Sequence, residues 1–331
     1  MNQPFPTILV TGGAGFIGSS LCAKLVEFKW RIICLDNFEP DYPAPVKHQN
    51  IAPLLAHENF TLVHGDVLDA EKLDDVFGRF AVHLVIHLAA KPGVRSSFAN
   101  PERCFEVNVI GTLRLLEAMR KHDVKKILFS SSSSVYGSGG GSLAEHSRTD
   151  LQLSPYAVSK KSGELLLHHY HHTFGFSVVA LRLFSVYGER QRPDLVIHKY
   201  VEAIYHGGSV EVFGDGEATR DFTHIDDVLQ GFIAAISHLE TTEGVKNEVF
   251  NIGAGNPISI NALIQELKHI FSEKPIEVIH KPMVRGDMQS THADLTKSAA
   301  QLGYHPNVSF TSGLTSFSKW FMLNCFNKNS G

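Results

Sequence analysis

The chain has 331 residues, 43% of them hydrophobic and 19% charged, with a formal net charge of −4; this suits a soluble globular protein with one large or two medium domains. That charge leaves no footprint for nucleic acid or an anionic membrane surface, and no apolar run reaches the ~18–20 residues of a membrane span. Cys22, Cys34, Cys104 and Cys325 are scattered with no CxxC pair, which argues against a disulfide framework or a zinc site and fits a reducing cytoplasm.

Met1 to Pro6 lacks the charged-then-apolar pattern of a leader, so none is expected. Thr7-Ile8-Leu9-Val10 reads as a strand that breaks into glycines, and a helical pattern follows through Leu21, Leu25 and Val26. Apolar runs recur at Arg31 to Leu35, Phe60 to Val63, His83 to Leu88, Lys126 to Phe129 and Ser177 to Leu183, with helical patterns such as Thr112 to Met119 between several of them. Strands alternating with helices predict an α/β fold, a Rossmann-type doubly wound parallel sheet covered on both faces. Ligands of such sheets lie beyond the carboxyl ends of the strands. After about residue 188 the rhythm loosens into short segments with turns at Gly207-Gly208, Gly214-Asp215-Gly216 and Gly253-Ala254-Gly255. We therefore expect a first domain over residues 1–187 and a smaller α+β substrate domain mainly over 188–323. Part of 226–253 is expected to return to the first domain, and a frayed tail from 324 to 331.

Gly12-Gly13-Ala14-Gly15-Phe16-Ile17-Gly18 sits between the first strand and the first helix. Gly12, Gly15 and Gly18 let the backbone turn tightly and approach a pyrophosphate at the helix N-terminus. Asp36 ends the next strand 18 residues after Gly18 and is followed by Asn37, not an arginine. A carboxylate there accepts hydrogen bonds from a ribose diol and repels a 2′-phosphate, so NAD is favoured over NADP. Asp66-Val67 ends a third strand, where Asp66 either meets the adenine or caps a helix. Leu88-Ala89-Ala90 ends the fourth with small residues that let a cofactor lie close.

Tyr156-Ala157-Val158-Ser159-Lys160 is YxxxK behind a Ser154-Pro155 helix start. Residues i and i+4 share a helix face, so the Lys160 charge is expected near the Tyr156 phenol, favouring the phenolate as a base. The four histidines of His168-His169-Tyr170-His171-His172 read as a solvated or interface face; no metal site is expected.

The glycine turn, the serine run Ser130 to Ser134 before Val135-Tyr136-Gly137, and YxxxK together resemble the extended short-chain dehydrogenase/reductase family, in its NAD-dependent epimerase/dehydratase branch. The resemblance runs from about Ile8 to Phe321 and implies NAD as cofactor, with Ser132, Tyr156 and Lys160 as catalytic residues. It implies that Ser131 to Ser134 line the nicotinamide and sugar pocket, and that Asn108, in "NVIGT", belongs to the cofactor site. "GDGEATRDFTHIDDV" and "VRGDM" resemble the family's nucleotide-sugar segments and imply a diphosphate contact from Arg220 and substrate-binding roles for Arg285 and Asp287. Arg95, Ser133, Ser134, Ser185 and Arg192 are expected at the sugar. A homodimer through the helices around 105–120 and 157–173 is implied as well.

Within the family, "AAKPGVRSS", "SSSSVYG" and "YGERQRPDLVIHKY" resemble UDP-glucuronate 4-epimerases. Lys91-Pro92 and Ser185 depart from that group's usual residues. Dehydratases and decarboxylases of this kind carry an acidic residue just after the catalytic hydroxyl, whereas here Ser133 and Ser134 follow it. The resemblance thus implies 4-epimerisation of a UDP-sugar, UDP-glucuronate first. The alternatives are UDP-glucose or UDP-N-acetylglucosamine epimerisation, UDP-glucuronate decarboxylation, and a non-catalytic NAD-binding scaffold.

Overall fold

The computed structural model describes residues 6–40, 42–138, 141–241, 244–282 and 289–328, with backbone alone for 325–328. The first half alternates as the apolar runs require: β1 (Thr7–Thr11), α1 (Phe16–Glu27), β2 (Arg31–Asp36), α2 (Ala44–Ile51), β3 (Phe60–His64), α3 (Ala70–Arg79) and β4 (Val82–His87). Short helices α4 (Val94–Ala99) and α5 (Pro101–Phe105) run into a π-helical turn, Glu106–Gly111, that continues as α6 (Thr112–Lys121). Then come β5 (Lys126–Ser132), a 3-10 turn over Ser133–Tyr136, α7 (Pro155–Phe174) and β6 (Ser177–Leu183). The remainder is β7 (Ser185–Tyr187), α8 (Val196–Tyr205), β8 (Ser209–Phe213), β9 (Thr219–His224), α9 (Ile225–Thr241), β10 (Asn247–Ile252), β11 (Pro257–Ser259), α10 (Ile260–Ile270), β12 (Glu277–Lys281), α11 (Thr296–Leu302) and α12 (Phe310–Lys328).

Seven strands form one sheet in the order β10-β6-β5-β4-β1-β2-β3, every pair parallel. It is buried on both sides, which is why β1 is apolar at both parities. Ile8 and Val10 face a cluster with Leu21 and Leu25 of α1 and Phe232 and Ile236 of α9. Leu9 faces the opposite cluster with Leu115, Met119 and Leu167 of α6 and α7. Each such buried side chain contributes about 1.5–3 kcal/mol of transfer free energy. Helix α7 shows its sequence signals directly: the Ser154 hydroxyl accepts the Ala157 N–H, Pro155 takes the first turn, and Gly175 closes the helix in the left-handed region.

Residues from Tyr187 onward build a separate core around Ile197, Val210, Leu263, Leu267 and Phe317. Its sheets are β11-β9-β7 and β12-β8. Strand β10 leaves this region to pair with β6. Fully buried Asp221 staples the region together, its carboxylate accepting the N–H groups of Ala254, Gly255 and Ala293. Helix α12 continues through Asn324 to Lys328, where fraying was anticipated. The strand order reverses between β1 and β4, the crevice where open parallel sheets bind ligands.

Candidate functional site

A long cleft lies over that crevice, and the glycine turn forms its floor. Gly12 has φ +69, and a Cβ there would meet the Ala89 backbone nitrogen at 2.7 Å. A Cβ on Gly18 would lie 2.2 Å from the Gly12 carbonyl oxygen, so only glycine allows the turn to sit on its own helix. Gly15 caps α1 with no side-chain partner, and the first-turn N–H groups of this 12-residue helix face the cleft wall made by Gly15, Phe16, Ile17 and Gly18.

Asp36, Asn37, Asp66 and Val67 line the next stretch. Asp36 is buried and accepts the N–H groups of Ala14 (3.0 Å) and Phe38 (2.8 Å), tying the glycine turn to the end of β2. Asp66 does not cap α3; that is Asp69, which accepts the Lys72 N–H. Asp66 instead accepts from Leu68 N–H and from the Asn37 amide. Glu39 joins this end of the cleft, gripped by Lys91 at 3.1 Å and by the Arg103 fork at 2.8 and 3.1 Å. Burial opposes its charge, but the hydrogen bonds from Arg103 and Lys91 hold its carboxyl down at about 2.

Leu88, Ala89 and Ala90 form the wall beyond β4. Beneath them a chain of hydrogen bonds runs through buried His87. Thr112 Oγ1 donates to the Asn108 carbonyl (2.7 Å), so it accepts from His87 Nε2 (3.0 Å), leaving Nδ1 to accept from Thr11 Oγ1 (2.7 Å). Burial, helped by the charge of Lys160, holds His87 neutral, its pKa pulled to about 3. Asn108 does not line the cleft, contrary to its expected place in the cofactor site. The π-helical turn carries its amide inward, where Oδ1 accepts the Lys91 N–H and Nδ2 donates to Lys91 O and to Ser159 Oγ. It pins the wall beside Lys91 to the helix that carries Lys160.

Ser130 to Ser134, Tyr156 and Lys160 all reach the cleft. The strand that ends in hydroxyls thus turns its carboxyl end, inside the sheet, toward the cleft. Ser131 aims its proton away, donating at 2.6 Å to Glu164, which also takes the Arg182 fork at 2.9 Å twice. Ser132 accepts from the N–H (3.2 Å) and the hydroxyl (2.9 Å) of Ser134, which leaves its own proton to donate. Lys160 is buried, donates to the Ser130 carbonyl at 2.7 Å, and lies 6.0 Å from the Tyr156 ring centre. Burial lowers its pKa to about 8. Burial also raises the Tyr156 phenol, opposed by the Ser132 hydroxyl and the charge of Arg192. Lys160 lies over the Tyr156 ring as the i,i+4 spacing predicts, and the charge of Arg192 also acts on the phenol.

The facing wall comes from the second half of the chain: Ser185, Gln191, Arg192, Arg220, Phe222 and Thr291. Arg192 is held by Asp194 through Nε (2.9 Å) and Nη2 (2.5 Å). Arg220 donates to the Thr219 carbonyl at 2.8 Å. Arg95 stands off the wall, its guanidinium 4.2 Å from the Phe213 ring centre. Arg285 and Asp287 lie outside the described residues. Sequence reasoning missed Glu39, Tyr42 and Gln191, cleft residues on connecting segments, and Lys47 of the short helix α2, none of which carries a periodic or motif signal.

Residues 8–253 match the model of the NAD dependent epimerase/dehydratase family. The chain is 36% identical over 313 residues to a UDP-glucuronate 4-epimerase of Thermodesulfobacterium geofontis, covering 94% of this chain and 95% of that one. Among solved structures, UDP-glucuronic acid 4-epimerase from Bacillus cereus, in complex with UDP-glucuronic acid and NAD, superposes with a TM-score of 0.91 at 38% identity, covering 96% and 99% of the two chains. UDP-glucose 4-epimerase from Thermotoga maritima with UDP-glucose gives 0.86 at 34%, covering 96% and 99%. The glycine turn at an uncapped helix N-terminus and the carboxylate closing β2 fit NAD. With the match spanning the whole sheet, the chain belongs to the NAD dependent epimerase/dehydratase family.

Proposed function

We propose that this NAD-dependent nucleotide-sugar 4-epimerase converts UDP-glucuronate to UDP-galacturonate. The observation that carries the reading is the company Tyr156 keeps in the cleft: Ser132, Ser133, Ser134, Ser185 and Arg192, with no carboxylate at 133 or 134. The B. cereus complex with UDP-glucuronic acid supports it. Bound in the cleft, NAD would supply the acceptor for the C4 hydride and the donor that returns it to the opposite face of the turned C4 ketone. Tyr156 accepts the C4 hydroxyl proton and gives it back; Ser132, whose oxygen is filled by Ser134, donates toward that pair of oxygens. Lys160 keeps its charge beside the same helix turn, anchored on Ser130. Asp36, Asn37, Asp66 and the glycine turn hold the adenosine half, and the arginine forks of Arg220 and Arg285 suit the sugar's diphosphate, with Asp287 as a further substrate contact.

Oxidation at C4 leaves a ketone β to the C6 carboxylate, and β-keto acids lose carbon dioxide readily. Neutral donors at 133 and 185 hold a carboxylate without supplying a proton to an enolate, while the Ser134 hydroxyl and N–H are given to Ser132. Arg192, held in a fixed fork by Asp194, closes the sugar end. The test is kcat/KM on UDP-glucuronate, UDP-glucose and UDP-N-acetylglucosamine, with products read by NMR. A strong preference for UDP-glucuronate without carbon dioxide release is expected. Equal rates on UDP-glucose would assign a neutral-sugar epimerase, and UDP-pentose a decarboxylase.

A homodimer belongs to the same proposal. Ile110, Val158 and Leu165 are exposed apolar residues on the π-helical turn and on α7, which pack against each other. Sedimentation should give twice the mass of 36.5 kDa, and Leu165→Lys should shift it toward the monomer.

A further inference from the structure

We infer that the side-chain oxygen of Gln191 is a built acceptor for a neutral hydrogen-bond donor of the bound cofactor and sugar, either a sugar hydroxyl or the carboxamide N–H of the nicotinamide. The inference rests on the reading that NAD and a nucleotide sugar share this cleft. Gln191 lines the cleft yet is only 3% exposed. Three contacts fix it: its N–H donates to Gly188 O (3.1 Å), its C=O accepts from His198 Nδ1 (3.0 Å), and its amide Nε2 donates to Val186 O (3.3 Å). Turning the amide over would set Oε1 against that Val186 carbonyl, so the orientation follows from chemistry.

Oε1 is then buried with no partner among the described residues. Asn50, Arg190, Gln230, His224, His238 and Ser318 also carry such atoms, but none of them lines the cleft; Tyr42, which does, has contacts of its own, Lys47 over its ring among them. A buried acceptor left unpaired is costly, and native folds keep few of them. One held rigidly in a binding cleft is paired by the ligand. Phosphates and the sugar carboxylate are ionised at neutral pH and have no proton to give. Hydroxyls, the carboxamide and the N–H groups of adenine and uracil remain, and beside Arg192 and Ser185 at the sugar end the first two are the ones in reach. Because the acceptor is rigid and neutral, it favours a ligand that presents a donor at that point and disfavours one that does not.

Gln191→Met removes the acceptor at nearly constant volume, with Gln191→Leu as a second apolar variant. Affinity is measured by calorimetry for NAD alone, and at saturating NAD for UDP-glucuronate, UDP-glucose and UDP. Thermal unfolding is followed without ligand. We expect the ligand-free midpoint to stay within about 2 °C of wild type or above it, because an unpaired buried atom is lost along with one hydrogen bond. One affinity should fall about fivefold. A fall for NAD assigns the carboxamide; a fall for the UDP-sugar but not for UDP assigns a hydroxyl. Affinities all within twofold of wild type, or an equal fall for UDP and UDP-sugar, would overturn the inference. A wild-type protein that binds UDP-glucose but not UDP-glucuronate would defeat the substrate reading alone, since the NAD and UDP-glucose arms still decide Gln191.

Discussion

Glu164→Gln is the perturbation with the largest effect that the structure lets one work out. Glu164 and Arg182 pair in the interior, their side chains 5% and 4% exposed. The carboxylate accepts both arms of the Arg182 fork, the Ser131 hydroxyl and Lys161. Arg182 also donates to the Glu145 carbonyl and lies 4.8 Å from the Tyr136 ring centre. Glutamine keeps the shape but leaves the guanidinium buried without a counter-charge. Breaking one half of a buried pair costs about 3–5 kcal/mol. At about 2.1 cal/mol/K per residue, 331 residues give an unfolding entropy of about 0.7 kcal/mol/K, so the midpoint should fall by about 4–7 °C. Burial pushes the Glu164 carboxyl up, but the hydrogen bond and charge of Arg182 prevail and lower it. A lowered carboxyl contributes stability above its unfolded pKa of about 4.3 and loses it as pH falls through the folded value. The gap between wild type and variant should therefore be full at pH 7 and close on acidification. Arg182→Met in the Glu164→Gln background should recover more than half the loss. Differential scanning calorimetry from about pH 8 down to about pH 2.5, through the window below about 4.3 in which the gap closes, is the assay. A fall of less than about 1 °C at pH 7, or a gap that widens in acid, would refute the reasoning.

Tyr156→Phe should lower turnover by about 10² or more while NAD still binds, checked by steady-state rates and a cofactor titration; near-normal turnover would remove Tyr156 from the proton transfer. Lys160→Met should abolish turnover and flatten a stability profile. The buried ammonium has its pKa lowered to about 8, so the unfolded chain binds the extra proton between about 8 and 10.4 and wild-type stability rises with pH across that window; the variant should lack that rise in melts between pH 7.5 and 10.5. Asp36→Ala should weaken NAD and narrow its advantage over NADP in fluorescence titration, although loss of the Ala14 and Phe38 anchors will also lower the melting point. Gly18→Ala places a methyl group 2.2 Å from the Gly12 carbonyl oxygen, and NAD affinity should drop by at least tenfold, read in the same titration.

Much of the fold is legible in the sequence because a doubly buried parallel sheet writes its strands as apolar runs, and glycine, Ser154-Pro155 and YxxxK act through local geometry. What escapes is set by long-range contacts. Asn108 looks like a cofactor ligand until a π-helical turn rotates it onto Lys91 and Ser159. Arg95 leaves the wall for Phe213, a partner more than a hundred residues away. Lys160 sits one turn from Tyr156 as its spacing requires, but the second cation acting on the phenol, Arg192, comes from a loop that no local pattern links to Tyr156. Glu39 and Gln191 belong to connections whose residue types say nothing until the two halves of the chain face one another across the cleft.

The central claim is that C4 of UDP-glucuronate is oxidised and re-reduced within one closed site. UDP-glucuronate deuterated at C4, incubated with the purified protein and followed by NMR and mass spectrometry, tests it most directly. The account predicts UDP-galacturonate that keeps its deuterium at C4, with no accumulation of NADH and no carbon dioxide. Loss of the label to solvent, stoichiometric NADH, or a UDP-pentose as the main product would contradict it.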